Sequence, residues 1–513
     1  MGVCNQEELV PVNPKREIFF NDYTNLQAID YRNKDFSEKI KFQVFIKNIN
    51  TSYQYKIKMN HIFGQKIFSL NDNLHCSILN NSIIKLDSPI IFQYFFEKQQ
   101  NLLIEIFIVE SGNKKKYEIK TSLGSIMGAR DNTFQTTIAP NKKERLVIQA
   151  IKLKKSENII NIKFDIEPNQ YINFEDERKK IYYEIYSDTL LFRSECLDPK
   201  GKFFPIKIPL NLFERNIIRI KFFQNTGKLI QELNLNIYEF PKKSIFILNC
   251  NGINLKVNSK SKITKDYTFV DYLKAGIEIG LTVAIDFTRS NGDPNLPSSL
   301  HYIQGNQLNQ YERAILSCGN IVGFYDLDQL YPCFGFGAKI NNSIKLLFNL
   351  NFKEDPNVSY IQGIIDAYHT ALNKVELWGP TNFAPIIREM NKIIKEQKHK
   401  LKYHILMILT DGIIGDMEET IEELVEGSFL PLSVIIIGVG NEDFTDMHIL
   451  DADDKPLINS KGVEAVRDLV QFVPFLKYES NPELLAVEVL EEVPRQIVDY
   501  YEQNNIDPFD LAS

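Results

Sequence analysis

The hydrophobic period of this chain changes near residue 265, and that change fixes which sheets each half can build. Before it, apolar side chains recur at every second position. KFQVFIKNI (41–49) puts Phe42, Val44 and Ile46 on one face, and NIINIKFDI (158–166) does the same with Ile160, Ile162, Phe164 and Ile166. IIFQYFF (90–96), LLIEIFIVE (102–110), KIYYEIY (180–186) and IIRIKFF (217–223) are further β-rich runs, separated by turns rich in Asn, Lys and Gly. One dry and one wet face per strand, with short turns between, predicts antiparallel β-sandwiches. After residue 265, strands such as LTVAIDF (281–287), HILMILTDG (404–412) and LSVIIIGVG (432–440) are apolar throughout. They alternate with helical stretches: YERAILSCGNIVGFYD, IQGIIDAYHTALNKVEL, FAPIIREMNKIIKEQ and MEETIEELVE. Strands dry on both faces and joined by amphipathic helices predict a parallel, doubly wound α/β sheet. NPELLAVEVLEEVPRQIVDYYEQ (481–503) closes the chain as one long helical stretch.

A chain of 513 residues is too long for one core. The predicted fold class is therefore multidomain. A flexible N-terminus (1–18) precedes two antiparallel β-sandwiches (19–140 and 141–255), and a doubly wound, Rossmann-like α/β domain follows (256–513). The composition is globular, 44% hydrophobic and 24% charged, and the net charge of -7 argues against a general nucleic-acid binder. Six cysteines without a CxxC pair suit a reducing compartment. No apolar run approaches the ~20 residues that span a bilayer, and MGVCNQEELV lacks the apolar core of a secretory signal. The expected location is the cytoplasm, or peripherally the inner face of the plasma membrane or an internal membrane.

The chemistry gathers at LTVAIDFTRSN (281–291). An apolar strand delivers Asp286 into a loop, with Thr288 and Ser290 at alternate positions. Thr381 in GPTNFAP and Asp411 in LTDG add two more oxygen ligands. Magnesium wants octahedral oxygen ligation near ~2.0–2.1 Å and parts reluctantly with water. Ser290 and Thr288 can bind it directly, Asp286 and Asp411 can hold its waters, and Thr381 can reach it from a third loop. Neutral direct ligands leave the ion electrophilic, so Mg²⁺ or Mn²⁺ here would attract a carboxylate from a protein partner. This is the logic of the von Willebrand factor type A domain and its metal-ion-dependent adhesion site. Two rival readings use the same residues. Asp286, Thr288 or Ser290 could cap the next helix. Alternatively, Asp286 could be the nucleophile of an aspartyl-phosphate phosphotransferase, with Asp411 and Asp416 as a weak acidic pair. No GxxxxGK[ST], GxSxG or HExxH motif occurs, so an enzyme is not the expected class. His301, His369 and His404 read as structural, and Trp378 as packing under the metal loop.

FVDYLKAGIEIGLTVAIDFTRSNGDP, NQYERAI, FGFGAKI, LWGPTNFAPII, LTDGIIGDM and RDLVQFVPF resemble copines, over about residues 245–508. The resemblance implies two C2 domains followed by a von Willebrand factor A-like domain, a non-catalytic adapter role in signalling at membranes, and Asp286, Thr288, Ser290, Thr381 and Asp411 as adhesion-type ligands. It also implies calcium-dependent phospholipid binding, which the loops contradict. NKDFSEKIKF (33–42) looks like the first calcium loop of the first module. Asp35 survives there, but Ile40 stands where an aspartate is expected, and Ile108-Val109-Glu110 takes the later D-x-D place. In the second module, FEDERKKIYY (174–183) has lysine and isoleucine over the corresponding stretch, and Phe222-Phe223-Gln224-Asn225 replaces the later acidic pair. Calcium takes six to eight oxygens, usually with several carboxylates, so Ca²⁺ at these modules is not expected. A calcium-dependent phospholipid-binding protein with working loops stays as the alternative. Anionic phospholipid could be met through the basic runs KKKY (114–117), NKKER (141–145) and KLKK (152–155). Gly2 and Cys4 read as a myristoyl-plus-palmitoyl anchor.

Overall fold

In a computed structural model, residues 37–511 are described, except 64–65, 71–75, 81, 88–89, 111–112, 141–142, 154–157, 167–179, 188–189, 195–205, 211–217, 236–243, 251–252, 306, 398–400 and 453–455. Gly2, Cys4 and Asp35 lie outside the described residues. The chain divides into two compact units: Ser156–Asp266, and Phe36–Lys155 together with Tyr267–Ser513.

The first sandwich contains β1 (Glu38–Lys47), β2 (Gln54–Phe63), β3 (Lys66–Ser69), β4 (Cys76–Asn80), β5 (Ile83–Leu86), β6 (Ile90–Tyr94), β7 (Asn101–Glu110), β8 (Asn113–Ser122), a short helix α1 (Leu123–Met127), β9 (Thr133–Thr137) and β10 (Arg145–Lys152). One sheet runs β4-β5-β1-β10-β9, with β6 also on β1, and the other runs β3-β2-β7-β8. Ile40, Phe42, Val44 and Ile46 all point into the core, as the period of two requires. The boundary expected at residue 140 moves, because β10 pairs along the whole of β1, from Ile40↔Lys152 to Lys47↔Arg145. Ile40 is likewise corrected: it is a buried core residue of β1, not a calcium-loop position.

The second sandwich forms the other unit. Its strands are β11 (Asn158–Ile166), β12 (Ile181–Tyr186), β13 (Leu190–Arg193), β14 (Ile206–Pro209), β15 (Ile218–Gln224), β16 (Leu229–Leu235), β17 (Ser244–Cys250) and β18 (Ile253–Lys265). They make two antiparallel sheets, β14-β11-β18-β17 and β13-β12-β15-β16. The boundary expected at 255 also shifts, since β18 pairs with β11 as far as Asn158↔Lys265. Ile160, Ile162, Phe164 and Ile166 meet Tyr183 and Phe222 in its core.

The α/β domain runs through α2 (Phe269–Lys274), β19 (Glu278–Asp286), α3 (Gln310–Val322), β20 (Leu330–Phe336), the short strands β21 (Ala338–Ile340), β22 (Ser343–Lys345), β23 (Phe348–Asn349) and β24 (Asn357–Ser359), α4 (Tyr360–Leu372), β25 (Glu376–Leu377), α5 (Ala384–Glu396), β26 (Lys402–Thr410), α6 (Met417–Gly427), β27 (Leu432–Gly438), α7 (Thr445–Leu450), β28 (Val470–Pro474), α8 (Pro482–Leu490) and α9 (Val493–Gln503). β20, β19, β26, β27 and β28 lie side by side in that order, every neighbouring pair parallel. In chain order this is 2-1-3-4-5, whose direction of winding reverses between β19 and β26, and doubly wound sheets place ligands at that switch. β19 is dry on both faces: Ile279, Leu281, Val283 and Ile285 enter one core cluster and Ala284 the other. The helical stretch expected over 481–503 is two helices. Pro494 sits in the first turn of α9, where its missing N–H costs nothing, whereas inside a continuous helix it would break the ladder.

The first sandwich and the α/β domain share one core cluster. Phe96 packs on Phe269 and Tyr325 (centroids 5.2 and 5.0 Å), and the Tyr94 and Tyr325 hydroxyls meet at 2.7 Å. Lys152 Nζ donates to Asp271 at 2.6 Å. A Cβ on Gly128 would stand 2.0 Å from the Phe324 carbonyl oxygen, so only glycine allows this approach.

His404 on β26 is buried, and burial pushes its pKa down to about 3, with Lys402 nearby adding to the effect. The unfolded imidazole titrates near ~6.5, so its contribution is present above that pH and is lost as pH falls toward 3. Between pH 6.5 and 5 it is worth about 2 kcal/mol. Urea unfolding at those two pH values should show that much more acid loss in wild type than in His404→Gln. Equal slopes would contradict the assignment.

Candidate metal centre at the carboxyl edge of the sheet

β19 and β26 end side by side, and their last residues carry the two acids. Asp286 closes β19 and is 0% exposed; Asp411 follows β26 and is 1% exposed. Asp286 Oδ1 accepts the Thr288 N–H at 2.8 Å, and its Oδ2 accepts the Thr410 hydroxyl at 2.5 Å. Asp411 Oδ1 accepts from Ser290 Oγ (2.9 Å), Asn291 Nδ2 (2.8 Å) and, at 3.5 Å, Thr288 Oγ1. The Thr288 and Ser290 hydroxyls lie 2.9 Å apart. Ser290 is exposed while Thr288 is buried, so the cluster opens to solvent on the serine side.

Thr381 arrives from a third loop, through a cis Gly379–Pro380 bond. Its carbonyl accepts Gly415 N–H at 2.8 Å. Its hydroxyl lies over Gly412, where an added Cβ would come within 2.7 Å of Oγ1. The loop is held from behind by Asp416, whose two carboxylate oxygens accept the Phe383 and Ala384 N–H groups at 2.9 and 3.0 Å. These donors open α5, where a negative charge is favoured. Trp378 is clamped to the first loop by its backbone: its N–H donates to Phe287 O (3.1 Å), and its carbonyl accepts Arg289 N–H (3.0 Å).

Several supporting residues were not read from sequence. Asn291 orients Asp411 and is itself fixed by Tyr311, whose hydroxyl donates to Asn291 Oδ1 at 2.6 Å. His301 is the structural histidine expected. Its ring bridges the Asp286 carbonyl (2.9 Å) and the Tyr368 hydroxyl (2.8 Å), and burial pushes its pKa down to about 3, so it stays neutral. Asn291 adjoins Ser290 in the sequence and was the most findable of these; His301 and Tyr311 become partners only through the fold.

The donor set fits a hard divalent cation. Burial raises the Asp286 pKa, and burial together with the Asp286 charge pushes Asp411 up to about 7. Two dry carboxyls this close repel when both are ionised. Among the described residues neither forms an ion pair with a lysine, arginine or histidine. A divalent ion would allow both to ionise, and the donors present are all oxygens, two of them neutral hydroxyls, as a hard cation requires. The arrangement serves nucleophilic attack poorly: Asp286 is fully enclosed with both oxygens engaged, and Asp416 is occupied as a helix cap.

Residues 299–509 match the family model described as Copine. That segment includes Thr381 and Asp411 and begins after Ser290. Among solved structures, the two tandem C2 domains of extended-synaptotagmin 2 align at 10% identity, covering 50% of this chain and 98% of that one, TM-score 0.19. The manganese-loaded TRAP protein of Plasmodium vivax aligns at 15% identity, covering 39% and 70%, TM-score 0.25. Proximal thread matrix protein 1 from the mussel byssus, with a zinc-occupied MIDAS motif, aligns at 14% identity, covering 41% and 46%, TM-score 0.26.

Proposed function

We propose that this chain, copine-like over residues 299–509, is a non-catalytic adapter that captures a protein partner through a divalent cation at Asp286, Thr288, Ser290, Thr381 and Asp411. One observation carries the reading: two buried carboxyls and two hydroxyls from separate loops converge at the switch between β19 and β26. When bound, Mg²⁺ or Mn²⁺ supplies an electrophilic position for a partner's carboxylate. The chain's own residues set its access. Ser290 is exposed and Thr381 half-buried, Asp286 and Asp411 would neutralise the ion's charge, and Asn291, Thr410 and His301 hold those acids in place. A crosslinking pulldown with wild type beside Asp286→Ala, with and without chelator, tests it. Equal capture in all arms would overturn it.

The two sandwiches serve docking, with anionic phospholipid as the expected surface and no dependence on calcium. Ile40 and Ile108 are buried on strands, and the Glu110 carboxylate accepts the Tyr53 hydroxyl at 2.8 Å. Lys56 and Lys58 on β2 and Lys114 and Lys120 on β8 share one face of their sheet with Lys116, which is paired with Glu105 and Glu118; each near-surface charge outside those pairs contributes ~1 kcal/mol toward anionic lipid. Unacylated protein should bind anionic vesicles equally in chelator and in micromolar Ca²⁺. A large calcium-induced rise would favour the calcium-sensor reading instead.

A further inference from the structure

Arg289 stands between two of the proposed ligands, Thr288 and Ser290, yet its side chain belongs to none of the contacts above. Its guanidinium lies 4.3 Å from the Trp378 ring centroid. Lys339 Nζ lies 4.6 Å from the same ring, and is paired with Glu376 at 3.0 Å. Arg289 is exposed and forms no ion pair among the described residues. Its backbone is pinned to Trp378, and an arginine ordered on an aromatic face loses less freedom when it meets a carboxylate. Arg289 also lines a cleft of about 640 Å³, whose walls combine Ile303, Leu372 and Val375 with the polar Asp293, Asn295 and Glu376. A cation beside the metal loop thus borders a groove of mixed lining, in which Ile303, Leu372, Val375 and Leu377 supply the apolar part.

We propose that Arg289 reads a second carboxylate on the partner, adjacent to the one that reaches the cation, and that the cleft takes the apolar side chain that follows. The occupant is an acidic peptide segment of the form acid–acid–apolar. This rests on the cation reading of the site. The guanidinium fork matches a carboxylate in two-point geometry, and such charge-assisted pairs are the stronger hydrogen bonds.

The test uses the full chain in Mn²⁺ and three blocked, fluorescent pentapeptides: Gly-Asp-Asp-Leu-Gly, Gly-Gly-Asp-Leu-Gly and Gly-Asp-Asp-Ser-Gly. By anisotropy, wild type should bind the first roughly ten- to a hundredfold more tightly than the second, and about tenfold more tightly than the third. Arg289→Ala should bring the ratio of the first two to near one, and Arg289→Lys should keep part of it. No binding by wild type, equal binding of the first two, or a ratio that survives Arg289→Ala overturns the assignment of Arg289. Equal binding of the leucine and serine peptides overturns that of the cleft. Chelator separates the two layers. An Arg289-dependent preference that persists in chelator sinks the cation reading and leaves Arg289 standing; Mn²⁺-dependent binding without preference does the reverse.

Discussion

Asp286→Ala should abolish stabilisation of the chain by divalent cation. A ligand that binds only the folded state, present at about a hundred times its dissociation constant, stabilises by about 2.7 kcal/mol. In urea titrations, wild type should gain that much from saturating Mn²⁺ and the alanine variant should gain nothing. The loss is not mere damage to the fold. Alanine leaves the Thr288 N–H and Thr410 hydroxyl without their acceptor, at roughly 1–3 kcal/mol each, but it also removes a buried charge that raises the Asp411 pKa. Asp286→Asn keeps an acceptor for one of those donors and removes the charge, so it should fold and likewise gain nothing from Mn²⁺. A full gain in either variant would place the cation elsewhere.

Phe96→Ala should cost about 3–5 kcal/mol, the usual range for emptying a buried aromatic site. Phe96 is 2% exposed, and its ring is wedged against Phe269 and Tyr325 of the α/β domain. The cost should therefore appear in the unfolding of residues 36–155 and 267–513 together, as one transition. Gly128→Ala tests the same seam through backbone, because its Cβ has no room beside the Phe324 carbonyl. A loss below about 1 kcal/mol for Phe96→Ala, outside the range for a filled site, would show that the shared core contributes little.

That seam was invisible in the sequence, and the reason is physical. Periodicity reports which face of a strand is dry, not what dries it. Phe42, Val44 and Ile46 were legible as a buried face because their alternation is local. Phe96, in the turn after β6, continues the alternation of Ile90, Phe92 and Tyr94, so its burial was legible, but its partners Phe269 and Tyr325 are far along the chain. The boundaries at 140 and 255 failed for a related reason: β10 and β18 each pair with a strand distant in sequence, and turn-like composition does not reveal pairing. The parallel sheet was legible because strands dry on both faces have few other homes.

The site was legible in its oxygen donors and not in its support. Asp286, Thr288 and Ser290 announce themselves by spacing after an apolar strand, and Asp411 by its place at a second strand end. The acids Asp286 and Asp411 are brought together by the β19–β26 register, in which Ile285 faces Leu409. Asp416 illustrates the limit: read alone it suggested an acidic pair, whereas its carboxylate caps α5. Ile40 shows the converse, a residue placed in a loop by resemblance that the pairing of β1 puts in the core.

The most direct test is a Mn²⁺ titration of the full chain followed by electron paramagnetic resonance, with the Ser290→Ala, Thr381→Ala double variant alongside. One saturable site per wild-type chain, weakened at least about tenfold in the double variant as loss of ligand-shell groups does elsewhere, is the result expected. Free-ion spectra throughout, or equal binding by both proteins, would contradict the claim that these loops hold a cation.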